Sequence, residues 1–355
     1  MVRPPAGAPS PLAVDSQRLW ETMLALPEQV DAALGAAKGL EGLPPHDQIE
    51  HVVVLGMGGS GIAGNVLVAA ALPFLPVPVT VVKEHAPPDY VGPGSLVFAM
   101  SFSGDTEETL EAAAQAFEAG AALVAVASGG ELVRLADEWR VPVVPVPAEL
   151  PQPRAALGAM VVPPLVVLEE LGLFPGATRW VELAVRQLRR RRDELARPGN
   201  VAEEVAHRIG RTIPLVHSSH AIGTAAALRW KMQVNENAKA PAFWNVLPEA
   251  CHNEVAGWGQ NGDVTRQLVT LVNLRHDAEH PQVARRFDLM AEILREVVAD
   301  VVEVRAAGQG DLAQLFDLVL VGDAVSLHLA AAAGVDPGPI PVLGEIKERL
   351  RTGAR

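Results

Sequence analysis

One cysteine, Cys251, is all that this 355-residue chain contains, so an intrachain disulfide and a cysteine-rich metal site are both excluded. Stability has to come from packing. Long apolar runs are also missing. Stretches such as 161–168 are broken by prolines or charges well before the roughly 20 residues that a membrane span requires, and no transmembrane helix is expected. Residues Met1 to Val14 carry Arg3 and four prolines and lack the continuous apolar segment of a secretory signal, which points to a cytoplasmic protein. Positive charge is scarce as well. The formal net charge is -13, which disfavours a general nucleic-acid binder. Lysine occurs only at Lys38, Lys83, Lys231, Lys239 and Lys347, the other 24 of the 29 basic residues being arginines. An anionic ligand would have to be met by a local site rather than by a broad basic face.

What is present is 49% hydrophobic residues, enough for two domains of ordinary size, each with a core. Apolar residues at helical spacing over 16–34 (Leu19, Met23, Leu24, Leu26, Val30, Leu34) predict a leading amphipathic segment broken at Pro27. A buried strand follows at 51–55, then a glycine-rich turn and a helical run over 62–72. Apolar runs at 79–82, 96–100 and 122–127, alternating with a helical pattern at 107–118, describe a doubly wound parallel sheet ending near Pro147. The proline-rich stretch 141–153 reads as an extended linker. Beyond it an arginine-rich helical connector (Arg186, Arg189, Arg190, Arg191, Arg192) leads to a strand at 213–217. A shift of 160 residues lays 52–63 over 212–223, with Ile62 on Ile222, which suggests an internal duplication. Runs at 268–274, 301–304 and 318–321 would complete a second parallel sheet. The expected organisation is α/β, with a helical segment over 1–46, a first sheet domain over 47–150 and connecting helices over 151–210. A second sheet domain over 211–335 and a final helix over 336–355 complete it.

Two loops carry chemistry. Gly56-Met57-Gly58-Gly59-Ser60-Gly61 fits the dinucleotide pattern G-x-G-x-x-G, with Glu84 beyond the next strand. Any strand-to-helix turn that brings backbone close to an anion needs glycines for the same steric reason, so a phosphate is implied and a nucleotide is not. A tight turn without a ligand is the plainer reading. After the strand at 96–100 come Ser101-Phe102-Ser103-Gly104-Asp105-Thr106, where three hydroxyls and a following helix start could form a neutral phosphate cradle. The plainer alternative is that Thr106 caps its helix and the serines are turn residues.

The motifs Gly58-Gly59-Ser60-Gly61, Ser101-x-Ser103-Gly104-x-Thr106 and Gln152-Pro153-Arg154 resemble the phosphate site of the sugar isomerase (SIS) domain, a flavodoxin-like doubly wound fold. Asn235-Glu236-Asn237-Ala238-Lys239, the segment Pro248-Glu249-Ala250-Cys251-His252-Asn253-Glu254 and Gly334-Val335-Asp336-Pro337 resemble the bifunctional phosphoglucose/phosphomannose isomerase family, in order across nearly the whole chain. The resemblance implies two SIS domains. Ser60, Ser101, Ser103 and Thr106 would bind the sugar phosphate, while Gly58, Gly59 and Arg154 line the reacting end. Glu236 would be the base and His252 would act in ring opening from the neighbouring subunit, with Lys347 completing the site. A homodimer with a shared active site is thus implied, acting on glucose 6-phosphate, mannose 6-phosphate and fructose 6-phosphate.

The chemistry needs no family name. Aldose–ketose conversion moves a proton from carbon 2 to carbon 1 through an enediolate, so one carboxylate serves as base and acid, and neither metal nor cofactor is called for. Arg154 is the permanent cation available for the developing oxygen charge. Without the resemblance, Glu236 is a solvated helix-end carboxylate, His252 an exposed or satisfied histidine and Lys347 a helix ion-pair partner with Glu345, Glu348 and Arg349 around it. Two departures from the family pattern stand out. Asp105 replaces the usual asparagine and would put negative charge beside the phosphate loop, and 336–341 lacks a hydroxyl that helps accommodate both sugar epimers. His220 reads as a satisfied turn histidine. The competing functions are a sugar-phosphate sensor without chemistry, against which Glu236 with His252 argues, and a nucleotide-dependent oxidoreductase, which only the glycine loop supports.

Overall fold

The computed structural model of the protein describes residues 10–353, so residues 1–9, on which the expectation of no secretory signal partly rests, lie outside the described residues. The chain opens with α1 (Leu19–Leu24) and α2 (Leu26–Ala36), separated at Ala25. Pro27 sits in the first turn of α2, where its missing N–H has no helical acceptor to lose.

The first sheet unit runs β1 (His51–Leu55), α3 (Gly58–Ala71), β2 (Val79–Val82), β3 (Ser95–Met100), α4 (Glu107–Glu118), β4 (Ala122–Ala127), α5 (Gly130–Trp139) and β5 (Val143–Pro145). Its strands are all parallel, in the order β2-β1-β3-β4-β5, with Leu55 paired to Val82 on one side and Ala99 on the other. Every residue of β3 is buried, as a central parallel strand covered on both faces requires. β5 corrects the reading of 141–147 as linker: three of those residues pair with β4. Its prolines are tolerated because β5 lies at the sheet edge, and Pro142 still offers its carbonyl to the Ala125 N–H at 2.9 Å.

Three helices, α6 (Leu157–Glu170), α7 (Ala177–Leu195) and α8 (Val201–Ile209), lead to the second unit. There follow β6 (Ile213–Ser219), α9 (His220–Asn237), β7 (Phe243–Leu247), α10 (Glu254–Gly257), α11 (Gly262–Leu268), β8 (Val269–Arg275), α12 (Pro281–Leu294), β9 (Asp300–Arg305), α13 (Asp311–Ala333) and α14 (Pro341–Thr352). The parallel order β7-β6-β8-β9 repeats the first four positions of the other sheet. Ile62 in α3 and Ile222 in α9 are both fully buried, as the 160-residue overlay expects. The junctions differ, because Gly56 and Met57 separate β1 from α3 whereas β6 passes directly into α9.

One expectation for this half is corrected. Leu318–Val321 is no strand but the middle of α13, which is apolar on nearly every side because α7, α8 and α9 enclose it. A four-residue apolar run cannot tell a strand from a buried helix. Among the described residues α13 is also the one helix long and apolar enough to cross a bilayer, and 89% of its most apolar window is buried inside the protein. The strand that takes its place is β7, whose half-exposed Trp244, Asn245 and Val246 gave no apolar run. The main core joins the inner faces of both sheets through α2, α3, α6, α7, α9 and α13, and smaller clusters fill the outer face of each sheet.

Candidate active site

At the carboxyl end of β1 the chain turns through Gly56 and Met57 into α3, and the glycines have separate steric reasons. A Cβ on Gly61 would lie 2.4 Å from the Gly56 carbonyl oxygen, and one on Gly59 would lie 2.8 Å from the Arg154 nitrogen. Gly58 faces open space but holds φ +48°, a region that side chains disfavour. Gly59 is therefore where the start of α3 meets the short turn Pro153–Ala155. Ser60, next in line, is buried, and its Oγ accepts the Phe102 N–H at 3.0 Å, tying α3 to the second loop.

That loop leaves β3 at the neighbouring strand end. Ser101 is fully buried; its Oγ accepts the Gly104 N–H at 3.1 Å and pairs with Thr106 Oγ1 at 2.9 Å. Thr106 occupies the N-cap position of α4 without capping it through its side chain, so the plain capping reading fails and the first N–H groups of α4 are left without a side-chain partner. Ser103 Oγ accepts the Asp105 N–H at 3.2 Å. Asp105 points elsewhere: its Oδ1 accepts the Glu131 N–H at 2.9 Å, at the start of α5. The carboxylate at this position serves a neighbouring helix terminus, where the dipole favours it.

Arg154 is buried, with 3% of its side chain exposed, and its guanidinium holds three segments together. Nε donates to Asn237 Oδ1 at 2.8 Å, Nη1 to Gln152 Oε1 at 3.3 Å, and Nη2 to the carbonyls of Pro337 and Gly338 at 2.6 and 2.8 Å. Burial lowers its pKa, with Glu236 working in the opposite direction. Glu236, the penultimate residue of α9, brings Oε2 to 3.6 Å from Arg154 Nη1 and remains about a quarter exposed. The proposed base and cation are thus adjacent, and one of them is reachable from solvent.

Three residues of this cluster were not singled out in the sequence. Asn237 donates from Nδ2 to Ser326 Oγ at 2.9 Å while accepting from Arg154, fixing the guanidinium against α13. Lys239, at φ +54°, donates to the carbonyls of Glu236 and Pro337, and burial lowers its pKa with the nearby Arg154 cation acting the same way. Arg229, paired with the buried Asp323 at 2.8 Å, donates to the Arg154 carbonyl at 2.6 Å. Asn237 and Lys239 lay inside a quoted motif, which was their only signal; Arg229 looked like one more helix arginine.

His252 and Lys347 are not brought to this cluster within the chain. His252 follows the turn Glu249–Cys251, is exposed, and its ring makes no hydrogen bond or ion pair with a described residue. Lys347 lies on the exposed α14, where Glu345 pairs with Arg349 and Glu348 with Arg351, so it does not take part in the helix ion pairs that were its plain explanation. His220 is the first residue of α9, at φ +56°, with its ring 5.9 Å from that of the buried His276. Among the described residues no three His, Cys, Asp or Glu side chains converge as a metal site would need.

Residues 199–350 match the family described as the bacterial phospho-glucose isomerase C-terminal SIS domain, and residues 47–145 match the SIS domain. The bifunctional phosphoglucose/phosphomannose isomerase of Caldicellulosiruptor bescii is 33% identical over 94% of this chain and 98% of its own length. The protein of the same name from Aquifex aeolicus is 35% identical over 85% of this chain and 91% of its own. Among solved structures, the tagatose-6-phosphate ketose/aldose isomerase from Escherichia coli superposes with a TM-score of 0.73 at 17% identity, covering 96% of this chain and 98% of that one, a likeness of fold.

Proposed function

The chain belongs to the bifunctional phosphoglucose/phosphomannose isomerase family of aldose–ketose isomerases, and from that premise we propose that it interconverts glucose 6-phosphate and mannose 6-phosphate with fructose 6-phosphate. Ser60, Ser101, Ser103 and Thr106, with the uncapped start of α4, hold the phosphate as a cradle of hydroxyl and backbone donors. Such a site meets an anion without a cluster of cations, in keeping with a chain of net charge -13. Glu236 removes the proton from carbon 2 and returns it to carbon 1, and the Arg154 guanidinium beside it stabilises the enediolate oxygens. Gly58 leaves open space for the sugar at the start of α3, Gly59 lets α3 close on the Arg154 turn at the reacting end, His252 acts in ring opening from a second subunit, and Lys347 completes the site.

The observation that carries this reading is the unbroken line of contacts from the hydroxyl loop through Ser60 and Gly59 to Arg154 and Glu236. It links the proposed phosphate loop to the proposed cation and base through adjoining residues, which supports reading them as one site. A sensor would need the cradle and not the buried guanidinium next to a solvent-reachable carboxylate. The segment 336–341 enters the cluster through the carbonyls of Pro337 and Gly338 rather than through a hydroxyl, which bears on epimer choice. The test is to supply fructose 6-phosphate to the purified protein, with a chelator present, and to quantify glucose 6-phosphate and mannose 6-phosphate separately. Formation of both is expected. Thermal stabilisation by fructose 6-phosphate with neither aldose formed would replace the isomerase by the sensor.

A further inference from the structure

We infer that Glu254 is a positioning residue for His252, anchoring the turn that presents the imidazole to the neighbouring subunit through a buried contact with His217 and a second one with Asn245. The inference rests on the role proposed above for His252. The turn from Glu249 to Gly257 is short and braced within itself. The His252 N–H donates to the Glu249 carbonyl at 2.9 Å, and Asn253 donates from Nδ2 to Glu249 Oε1 at 2.6 Å while its Oδ1 accepts the Glu254 N–H at 2.6 Å. These bonds set the shape of the turn but tie it to nothing else.

Glu254 supplies the attachment. Its Oε1 meets His217 Nε2 at 2.7 Å and its Oε2 accepts from Asn245 Nδ2 at 2.7 Å, so both carboxylate oxygens are engaged by neighbouring strands of the second sheet. His217 and Asn245 are register partners on β6 and β7, which puts both donors in one row across the sheet. His217 is fully buried, and its Nδ1 has no partner among the described residues; the nitrogen facing the carboxylate therefore carries the proton, and the ring donates toward Glu254. Burial works to raise the Glu254 pKa, but the hydrogen bonds from His217 and Asn245 prevail and hold it below the ordinary glutamate value. The ionised form of Glu254 is thus favoured, two residues from an imidazole that makes no hydrogen bond or ion pair with a described residue.

A buried histidine and an amide directed at one carboxylate add a polar anchor to a turn that Ala250, Val255 and Trp258 already pack against the sheet, and that turn carries the exposed His252 two residues before Glu254. They fix where His252 stands, and a ring-opening acid or base acts only if its nitrogen is held at the reacting oxygen.

The experiment is a double-mutant cycle on the full-length enzyme, assayed with ring-closed glucose 6-phosphate, with melting temperature recorded for each variant. Glu254→Ala is expected to lower kcat about tenfold or more and leave KM for the sugar phosphate within about twofold, since the cradle lies in the other sheet domain. In the His252→Ala background the same change is expected to cost nothing further, because there is no imidazole left to misplace. Glu254→Gln keeps one acceptor, for either His217 or Asn245, and turns an amide donor toward the other, so it should recover only part of the loss. If Glu254→Ala does not fold, Asn245→Ala removes one arm of the anchor and should show a smaller loss with the same lack of additivity. Wild-type kcat in a folded Glu254→Ala or Asn245→Ala enzyme overturns the inference. So do losses that multiply with His252→Ala. A fully active His252→Ala enzyme instead refutes the role of His252 itself, which separates the two claims.

Discussion

Arg154 spends Nε and Nη2 on Asn237 and on two carbonyls of 337–338, leaving Nη1, with one long hydrogen bond to Gln152, as the nitrogen nearest Glu236. A lysine there keeps the charge but presents one nitrogen where three are used. Arg154→Lys should lower kcat by about a hundredfold with little change in KM, as expected for a donor that acts on developing charge. The same substitution takes the donor from the Gly338 carbonyl and from Asn237 Oδ1, while Lys239 still donates to Pro337, and should cost about 1–3 kcal/mol in urea unfolding. Wild-type turnover would remove Arg154 from the site. The buried histidines give a second prediction at this scale. Burial lowers the pKa of both His276 and His328, so below the ordinary histidine value of about 6.5 the unfolded chain takes up protons that the folded one resists. Stability is then present above that value and is lost as pH falls toward the two lowered values. His276→Gln keeps a donor for the Ser219 carbonyl, which now accepts from Nε2 at 2.8 Å, and removes the titration. Melting curves between pH 7.5 and 5 should show a shallower acid-side decline for that variant than for wild type. Equal slopes would mean that His276 contributes nothing to it.

At the scale of elements, the start of α3 distinguishes two kinds of glycine. Gly59 has backbone atoms of Pro153 and Arg154 within 3 Å of where a Cβ would stand, and backbone cannot swing aside as a flexible side chain can. Gly59→Ala should therefore push α3 away from the Arg154 turn, costing about 1–3 kcal/mol of stability and most of the activity. Gly58→Ala meets no atom and strains only φ, so a cost of about 1 kcal/mol is expected, with the turn otherwise in place. Denaturation midpoints and kcat of the two variants measure the difference; equal behaviour would show that close packing at Gly59 is not what positions Arg154.

On the scale of the whole molecule, the single chain keeps Glu236 and Arg154 together and leaves His252 and Lys347 exposed, neither of them a member of an ion pair among the described residues. If His252 is supplied by a second subunit, a dimer of Glu236→Gln with His252→Ala has one site carrying both defects and one intact site. Each mutant homodimer should be severely impaired, and mixing them under conditions of subunit exchange should restore about half of wild-type activity per heterodimer. Exchange demonstrated without recovered activity would exclude the shared site.

The sequence by itself determined the elements whose signal is local. Strands buried on both faces, such as 51–55 and 96–100, are continuous apolar runs, and the glycine and hydroxyl loops stand at strand ends where backbone must turn into a helix. The likeness of Gln152-Pro153-Arg154 and 235–239 to known motifs marked Arg154 and Glu236 before any contact between them was known. Tertiary structure decided what depends on partners distant in the chain. Residues 318–321 are helical because three other helices surround them, 143–145 form a strand because β4 offers an open edge, and the Asp105 carboxylate turns to the start of α5, where it accepts the Glu131 N–H. Asn237, Lys239, Glu254 and His217 are ordinary residues when read one at a time. Each gains its meaning from a hydrogen bond across elements, and a hydrogen bond of that kind leaves no periodicity in the sequence to be read.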